Sequence, residues 1–264
     1  MIPLKDNLKC LLFPWATFAI IALNCLAYVL ELSALSTGSP EHFINTYLMV
    51  PGRVVEAFAS GDPSAIAAAA GTIFSSMFLH DPSGLAHLLG NMLYLFVFGR
   101  AMEARLGRVK FIGFYLLSGI AAAFVHIWSD PASMVPTLGA SGAIAGVLGG
   151  YLMLWPKATI VGFVPLPTSA RGYKIPFTAE ARAYWYILFW IFAQFTSVLG
   201  PASGGGGVAY WAHIGGFIFG FILCIAVRIW QPTSDVCYIP EEACTPCEKP
   251  HLDDADGSGE NASK

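Results

Sequence analysis

Five stretches of this chain, residues 10–30, 82–99, 111–129, 131–156 and 183–227, contain no Asp, Glu, Lys or Arg. About 20 apolar residues cross a hydrocarbon core of roughly 30 Å, so runs of this length belong in a bilayer. Charged residues are 12% of the whole, against about 25% in an average soluble domain, too few to cover a water-facing surface. The last run is long enough for two crossings, with Gly204-Gly-Gly-Gly207 as the break. The expected fold is therefore all-α, a six-helix membrane bundle with spans near 12–32, 85–103, 110–128, 141–155, 183–200 and 208–230. The first run carries Asn24 and Cys25 rather than a small-residue exit, and five more follow, so it reads as a span and not as a cleaved signal.

Lys and Arg in short loops set orientation. Of the 14 in the chain, only Arg53 falls in a loop on the side of residues 33–84, 129–140 and 201–207. Both termini are expected to be cytoplasmic and those three loops external. With no targeting segment apparent, the expected location is a bacterial plasma membrane. Residues 231–264 hold eight acidic and two basic residues with Pro, Gly and Ser, and read as a mostly disordered acidic tail on a membrane domain of 1–230. Within that tail, Cys237, Cys244, Cys247 and His251 could supply four soft zinc ligands. The irregular spacing and the prolines argue against a zinc knuckle, so no metal or other cofactor is expected. No nucleic-acid partner is expected either.

Polar side chains inside a bilayer are costly and mark sites. Ser141 opens the fourth span, His87 and Asn91 open the second, and His213 lies about six residues into the sixth. All three spans are entered from outside, so the four side chains share one depth. The fourth span is 15 residues, about 22 Å of helix, shorter than the core it sits in. Its start is expected below the outer surface, with Asp130–Pro136 dipping into the protein and the Ser141 hydroxyl at the positive end of a helix dipole. Gly142, Gly146 and Gly150 on this span, with Gly216 and Gly220 on the sixth, make small-residue faces that allow two backbones to approach. That approach brings His213 within reach of Ser141. The chemistry this permits is acyl transfer by a serine–histidine dyad, with Ser141 as nucleophile and His213 as general base. The Ser141 backbone N–H and the His87 and Asn91 side chains would bind the oxyanion. Sequence offers no third member, because 183–227 holds no carboxylate and Asp81 and Asp130 are the acids nearest that depth. No His-Glu-x-x-His is present and no carboxylate is expected inside a span, which leaves metallo- and aspartyl-protease chemistry without residues. Pseudo-repeats or a polar path across the membrane, as a transporter would need, are not seen. His80 is expected at the cavity rim, His42 in a loop, His126 without a partner, and Glu103 paired with Arg105. The glycine-rich loop 200–207 is expected to cap the site, with spans five and six parting to admit substrate.

The motifs resemble those of the rhomboid intramembrane serine proteases. Gly139-Ala-Ser-Gly142 resembles the family's G-x-S-G, with Gly139 and Gly142 framing the serine. Ala212-His213-Ile-Gly-Gly216 resembles its A-H-x-x-G, and His87-Leu-Leu-Gly-Asn91 its H-x-x-x-N, with Phe78-Leu-His80 upstream. Gly99 to Gly107 resembles the end of its second span. The resemblance covers about 12–230 and implies cleavage of other proteins' transmembrane segments within the lipid bilayer, without a cofactor. Ala145 stands where an aromatic is often found four residues after the serine, and 71–78 lacks the usual Trp-Arg pair. A non-cutting relative that binds transmembrane clients is the alternative reading.

Overall fold

A computed structural model describes residues 1–10, 12–163, 178–199, 209–230 and 236–238. Among these, nine helices form the body of the chain: α1 (Trp15–Thr37), α2 (Pro40–Tyr47), α3 (Pro51–Ser60), α4 (Pro63–Ser76), α5 (Leu85–Leu106), α6 (Arg108–Ser129), α7 (Ser141–Leu154), α8 (Ala183–Leu199) and α9 (Tyr210–Trp230). Four are long and apolar enough to cross a membrane: α1, α5, α6 and the Tyr210–Ile229 part of α9. The helices α7 and α8 are apolar but shorter. The chain is an integral membrane protein. Exposed Leu, Ile, Phe and Trp side chains cover the outsides of α1, α6, α8 and α9, which suits contact with lipid rather than water.

The short helix α7 is the centre. Every residue from Gly142 to Leu152 is buried, and α5, α6, α8 and α9 pack around it. Glycine decides how closely. A Cβ on Gly216 would collide with the Gly142 carbonyl oxygen, one on Gly220 with the Gly146 carbonyl, and one on Gly149 with the Phe217 carbonyl. The α7 and α9 backbones therefore touch directly, with no side chain between them. Gly107, at φ +79°, makes the one-residue turn between α5 and α6 in the left-handed region that a side chain would strain.

The helix α1 begins after Pro14, which offers no capping side chain. Its first-turn donors are satisfied from another helix. The Ala16 N–H donates to Glu103 Oε1 (2.8 Å), and the Thr17 N–H and hydroxyl donate to Oε2 (2.7 Å each). Glu103 is 2% exposed and sits at the positive end of the α1 dipole. This corrects the expected Glu103–Arg105 pair. Arg105 instead donates to the Val227 carbonyl (3.3 Å), tying α5 to α9. Glu103→Ala should leave three buried donors without acceptors and cost about 3 kcal/mol or more. Thermal unfolding in detergent measures this, and Glu103→Gln, which keeps one acceptor oxygen, should lose less.

The all-α expectation needs amending as well. β1 (Ile2–Asp6), β3 (Thr159–Phe163) and β4 (Thr178–Arg182) form an antiparallel sheet in the order β1-β3-β4. β2 (Leu8–Cys10) pairs antiparallel with β5 (Val236–Tyr238). Both lie at the end of the bundle where α5 and α7 finish. There Asp6 accepts from the Tyr151 hydroxyl (2.8 Å) and pairs with Arg100 (3.4 Å). Burial pushes the Asp6 carboxyl above its ordinary range, opposed by Tyr151 and Arg100. β5 falls inside the stretch read as a disordered tail; the rest of 231–264, including Cys244, Cys247 and His251, lies outside the described residues, as does the loop 200–207. Cys237 lies in β5, where the backbone alone is described.

At the opposite end, the region 33–84 read as a loop contains α2, α3 and α4, so His42 is helical. Each of the three starts on a proline at its first position. Ser39 and Asp62 cap α2 and α4. These helices hold the entry to α7 by backbone hydrogen bonds: Gly52 N–H to Ser133 O (2.8 Å), Thr137 N–H to Met49 O (2.8 Å) and Gly139 N–H to Ser76 O (2.9 Å). The dip expected over 130–136 begins only after Pro136. Those residues are mostly exposed, and cover increases only from Thr137 to the buried Ala140.

Candidate active site

The N-termini of α5, α7 and α9 meet at the end of the bundle covered by α2–α4. Ser141 is the first residue of α7, so its backbone N–H is one of those that a helix leaves without an intrahelical acceptor. Its Oγ lies 2.7 Å from His213 Nε2. His213 comes from the first turn of α9 and is 6% exposed. Ser141 and His213 can meet because Gly142 and Gly216 carry no Cβ: their two chains run in contact one residue past the serine and three past the histidine.

The other nitrogen of His213 is also engaged. Nδ1 lies 2.8 Å from Gln194 Oε1, on α8. Gln194 Nε2 lies 3.4 Å from the Trp190 carbonyl one turn back. The Trp190 ring packs against the imidazole at 5.7 Å between centroids. This contact is not among the sequence expectations, because 183–227 holds no carboxylate. The signal was present, as a lone amide in a 17-residue helix otherwise built mostly of aromatic and aliphatic side chains. Ala145, inside α7 and fully buried, offers no ring; the ring against His213 is Trp190.

Gly139 has φ +121°, a conformation a side chain would strain. Space is tight as well: a Cβ there would lie 3.1 Å from His87 Nε2, which would have to give slightly, and 3.5 Å from Ser141 Oγ. His87 and Ser141 thus flank one small space, and the thin backbone at Gly139 leaves it open. The Asp81 N–H donates to His87 Nδ1 (3.4 Å), which leaves the ring proton on Nε2, the nitrogen facing that space. The Ser83 N–H and hydroxyl hold the Asp81 carboxyl below its usual range. Asn91, one turn along α5, is buried, and its Nδ2 has no partner among the described residues. Gly142 faces the Ala122 methyl, to which a Cβ would come within 2.7 Å. A cavity of about 30 Å³ beside Ser141, lined by Ser76, Met77, Ala122, Thr137, Gly139 and Ala212 among others, has room for water.

Three histidine and acid positions differ from expectation. His80 is fully buried rather than at a rim, edge-on to His87 at 5.1 Å, and neither of its ring nitrogens has a partner among the described residues. Its backbone N–H donates to Glu31 Oε2 (3.0 Å). Glu31 lies inside α1 and is 2% exposed, so a carboxylate does sit within a membrane helix near this end of the bundle. His126 has a partner, Thr137 Oγ1 at 3.0 Å.

The arrangement is that of a helical membrane protein with a serine hydroxyl held against a histidine, beside polar groups able to meet a negative oxygen. The family model for the Rhomboid domain matches residues 68–230, and the chain belongs to that family. The chain is 33% identical over 156 residues to Rhomboid protein 1, mitochondrial, of Saccharomyces cerevisiae, covering 57% of this chain and 40% of that one. It is 32% identical over 166 residues to Rhomboid protease AarA of Providencia stuartii, covering 57% of this chain and 53% of that one. Putative rhomboid protease YdcA of Bacillus subtilis is 37% identical over 82 residues, 31% of this chain and 40% of that one. The chain thus spans about half or less of the length of these relatives.

Proposed function

We propose that this chain is an intramembrane serine endopeptidase that cleaves transmembrane segments of other membrane proteins. The observation that carries the reading is the 2.7 Å contact between Ser141 Oγ and His213 Nε2 at the part-buried start of α7. Ser141 attacks the peptide carbonyl carbon as its hydroxyl proton passes to Nε2. The carbonyl oxygen takes the negative charge and is met by the Ser141 backbone N–H, His87 Nε2–H and Asn91 Nδ2. Collapse breaks the peptide C–N bond, and His213 gives its proton to the departing amine. Water then attacks the acyl-serine ester with His213 again as base. The cavity beside Ser141 is large enough to supply it. The residues need no cofactor for these steps.

In this reading α7 and α8 also cross the bilayer, giving six spans, with α7 beginning below the external surface. The domain is 1–230 and the tail 231–264, with both termini cytoplasmic in a bacterial plasma membrane. Thirteen of 14 basic residues assigned to one side support the orientation, and the name Rhomboid protease AarA, of Providencia stuartii, supports the activity and location.

The test is reconstitution of the purified chain into liposomes with a model single-span substrate. Cleavage within the span, absent for Ser141→Ala, is the expected result. Client binding by both proteins without any cleavage would instead establish the non-cutting alternative.

A further inference from the structure

We propose that Gln194 is the positioning residue for His213, a neutral third member of the relay supplied by α8. The proposal rests on the protease reading and extends it to how the base is oriented. The hydrogen-bond directions follow from what each atom can do. The Trp190 carbonyl only accepts, so the amide nitrogen of Gln194 faces it (3.4 Å) and Oε1 faces His213 (2.8 Å). An amide oxygen only accepts, so the proton of neutral His213 is on Nδ1. That leaves the Nε2 lone pair toward the Ser141 hydroxyl at 2.7 Å, the tautomer a general base requires. Without Gln194 no other described residue hydrogen-bonds Nδ1, and the proton is free to sit on Nε2, where it blocks proton uptake from serine. Trp190, on the same face of α8 at i and i+4 from Gln194, closes one side of the imidazole at 5.7 Å and limits its rotation. A carboxylate in this place would add charge stabilisation of the imidazolium; an amide orients the ring without burying a charge in the bilayer.

Among the described residues, α8 stands at the edge of the α7–α9 pair. It packs far less extensively on α7 than α9 does, and Trp185, Phe189 and Phe192 on it are more than 60% exposed. The base is therefore oriented by a helix that stands outside the rigid α7–α9 seam, and its alignment follows where α8 stands.

Two variants and one spectrum test this. Gln194→Met keeps length and volume without a strong acceptor, and Gln194→Glu keeps an acceptor oxygen. Gln194→Met should lower kcat for the liposome substrate about tenfold, the worth of one oriented hydrogen bond, with KM and thermal unfolding unchanged. Gln194→Glu should stay within about threefold of the unaltered chain. In histidine ¹⁵N NMR spectra in detergent, His213 should carry its neutral proton on Nδ1 in the unaltered chain and shift toward Nε2 in Gln194→Met. Unaltered kcat in Gln194→Met, equal losses in both variants, or His213 protonated on Nε2 in the unaltered chain would each overturn the proposal. Should the unaltered chain show no Ser141-dependent cleavage, the protease reading fails by itself, and the NMR spectrum still decides whether Gln194 orients the ring.

Discussion

Replacing His213 with alanine is expected to cut turnover of a transmembrane substrate by about three orders of magnitude or more, and Ser141→Ala by as much. The double replacement should be no worse than either single one. Those two side chains act as a unit: without the imidazole the hydroxyl has no acceptor for its proton at 2.7 Å, and without the hydroxyl the imidazole has nothing to deprotonate. Losses that multiplied in the double variant would mean two independent contributions and would break the dyad. Initial rates of cleavage in liposomes, measured for the four proteins at equal concentration, give the comparison. Stability should change little in Ser141→Ala, which gives up one hydroxyl in a site that already holds a cavity.

The second large effect lies two turns away from the chemistry. Gly220→Ala adds a single methyl, and that methyl would collide with the Gly146 carbonyl oxygen, a backbone atom at the centre of α7. No side chain can swing aside to make room. The two helices must separate, and overpacking of this kind costs about 1–3 kcal/mol. His213 rides on the same helix, seven residues nearer its start, so the separation carries the imidazole away from Ser141. A misplacement of about 1 Å can cost about a hundredfold in rate. Gly220→Ala should therefore lose both cleavage and thermal stability. Gly90→Ala is the control: it too lies in a membrane helix, but a Cβ there meets nothing within 4 Å. It should leave cleavage unchanged and stability unchanged or slightly raised. If Gly220→Ala behaved like Gly90→Ala, the α7–α9 seam would not be what holds the site.

The long helices were legible because absence of charge over about 20 residues is a direct physical demand of the bilayer. The ends of α5, α6 and α9 fall within a few residues of the expected spans. The glycine faces of α7 and α9 were legible for a related reason, since only close backbone approach accounts for Gly at every fourth place. The strands were not. β1 pairs with β3 across more than 150 residues of sequence, and three- to five-residue strands carry too little alternation to announce such a partner. The helices α2–α4 did carry signals, proline at the first position of each and Ser39 or Asp62 before two of them, inside a long segment that reads as an external loop. Glu31 was missed because α1 continues to Thr37, which turns a carboxylate expected at a span's edge into an interior one. Gln194 was missed because it has no charge. Charge is the usual mark of a histidine's partner, whereas a low-dielectric site favours a neutral acceptor. Glu103 shows the converse: a carboxylate at the end of a span invites pairing with the nearest arginine, yet the uncapped donors of a neighbouring helix claim it.

The most direct measurement of the central claim is labelling by a fluorophosphonate, which bonds only to an activated serine hydroxyl, followed by mass spectrometry of the purified chain. One adduct is expected, on Ser141, formed far more slowly in His213→Ala and absent in Ser141→Ala. No adduct, an adduct on a different serine, or labelling of Ser141 at the same rate without His213 would contradict it.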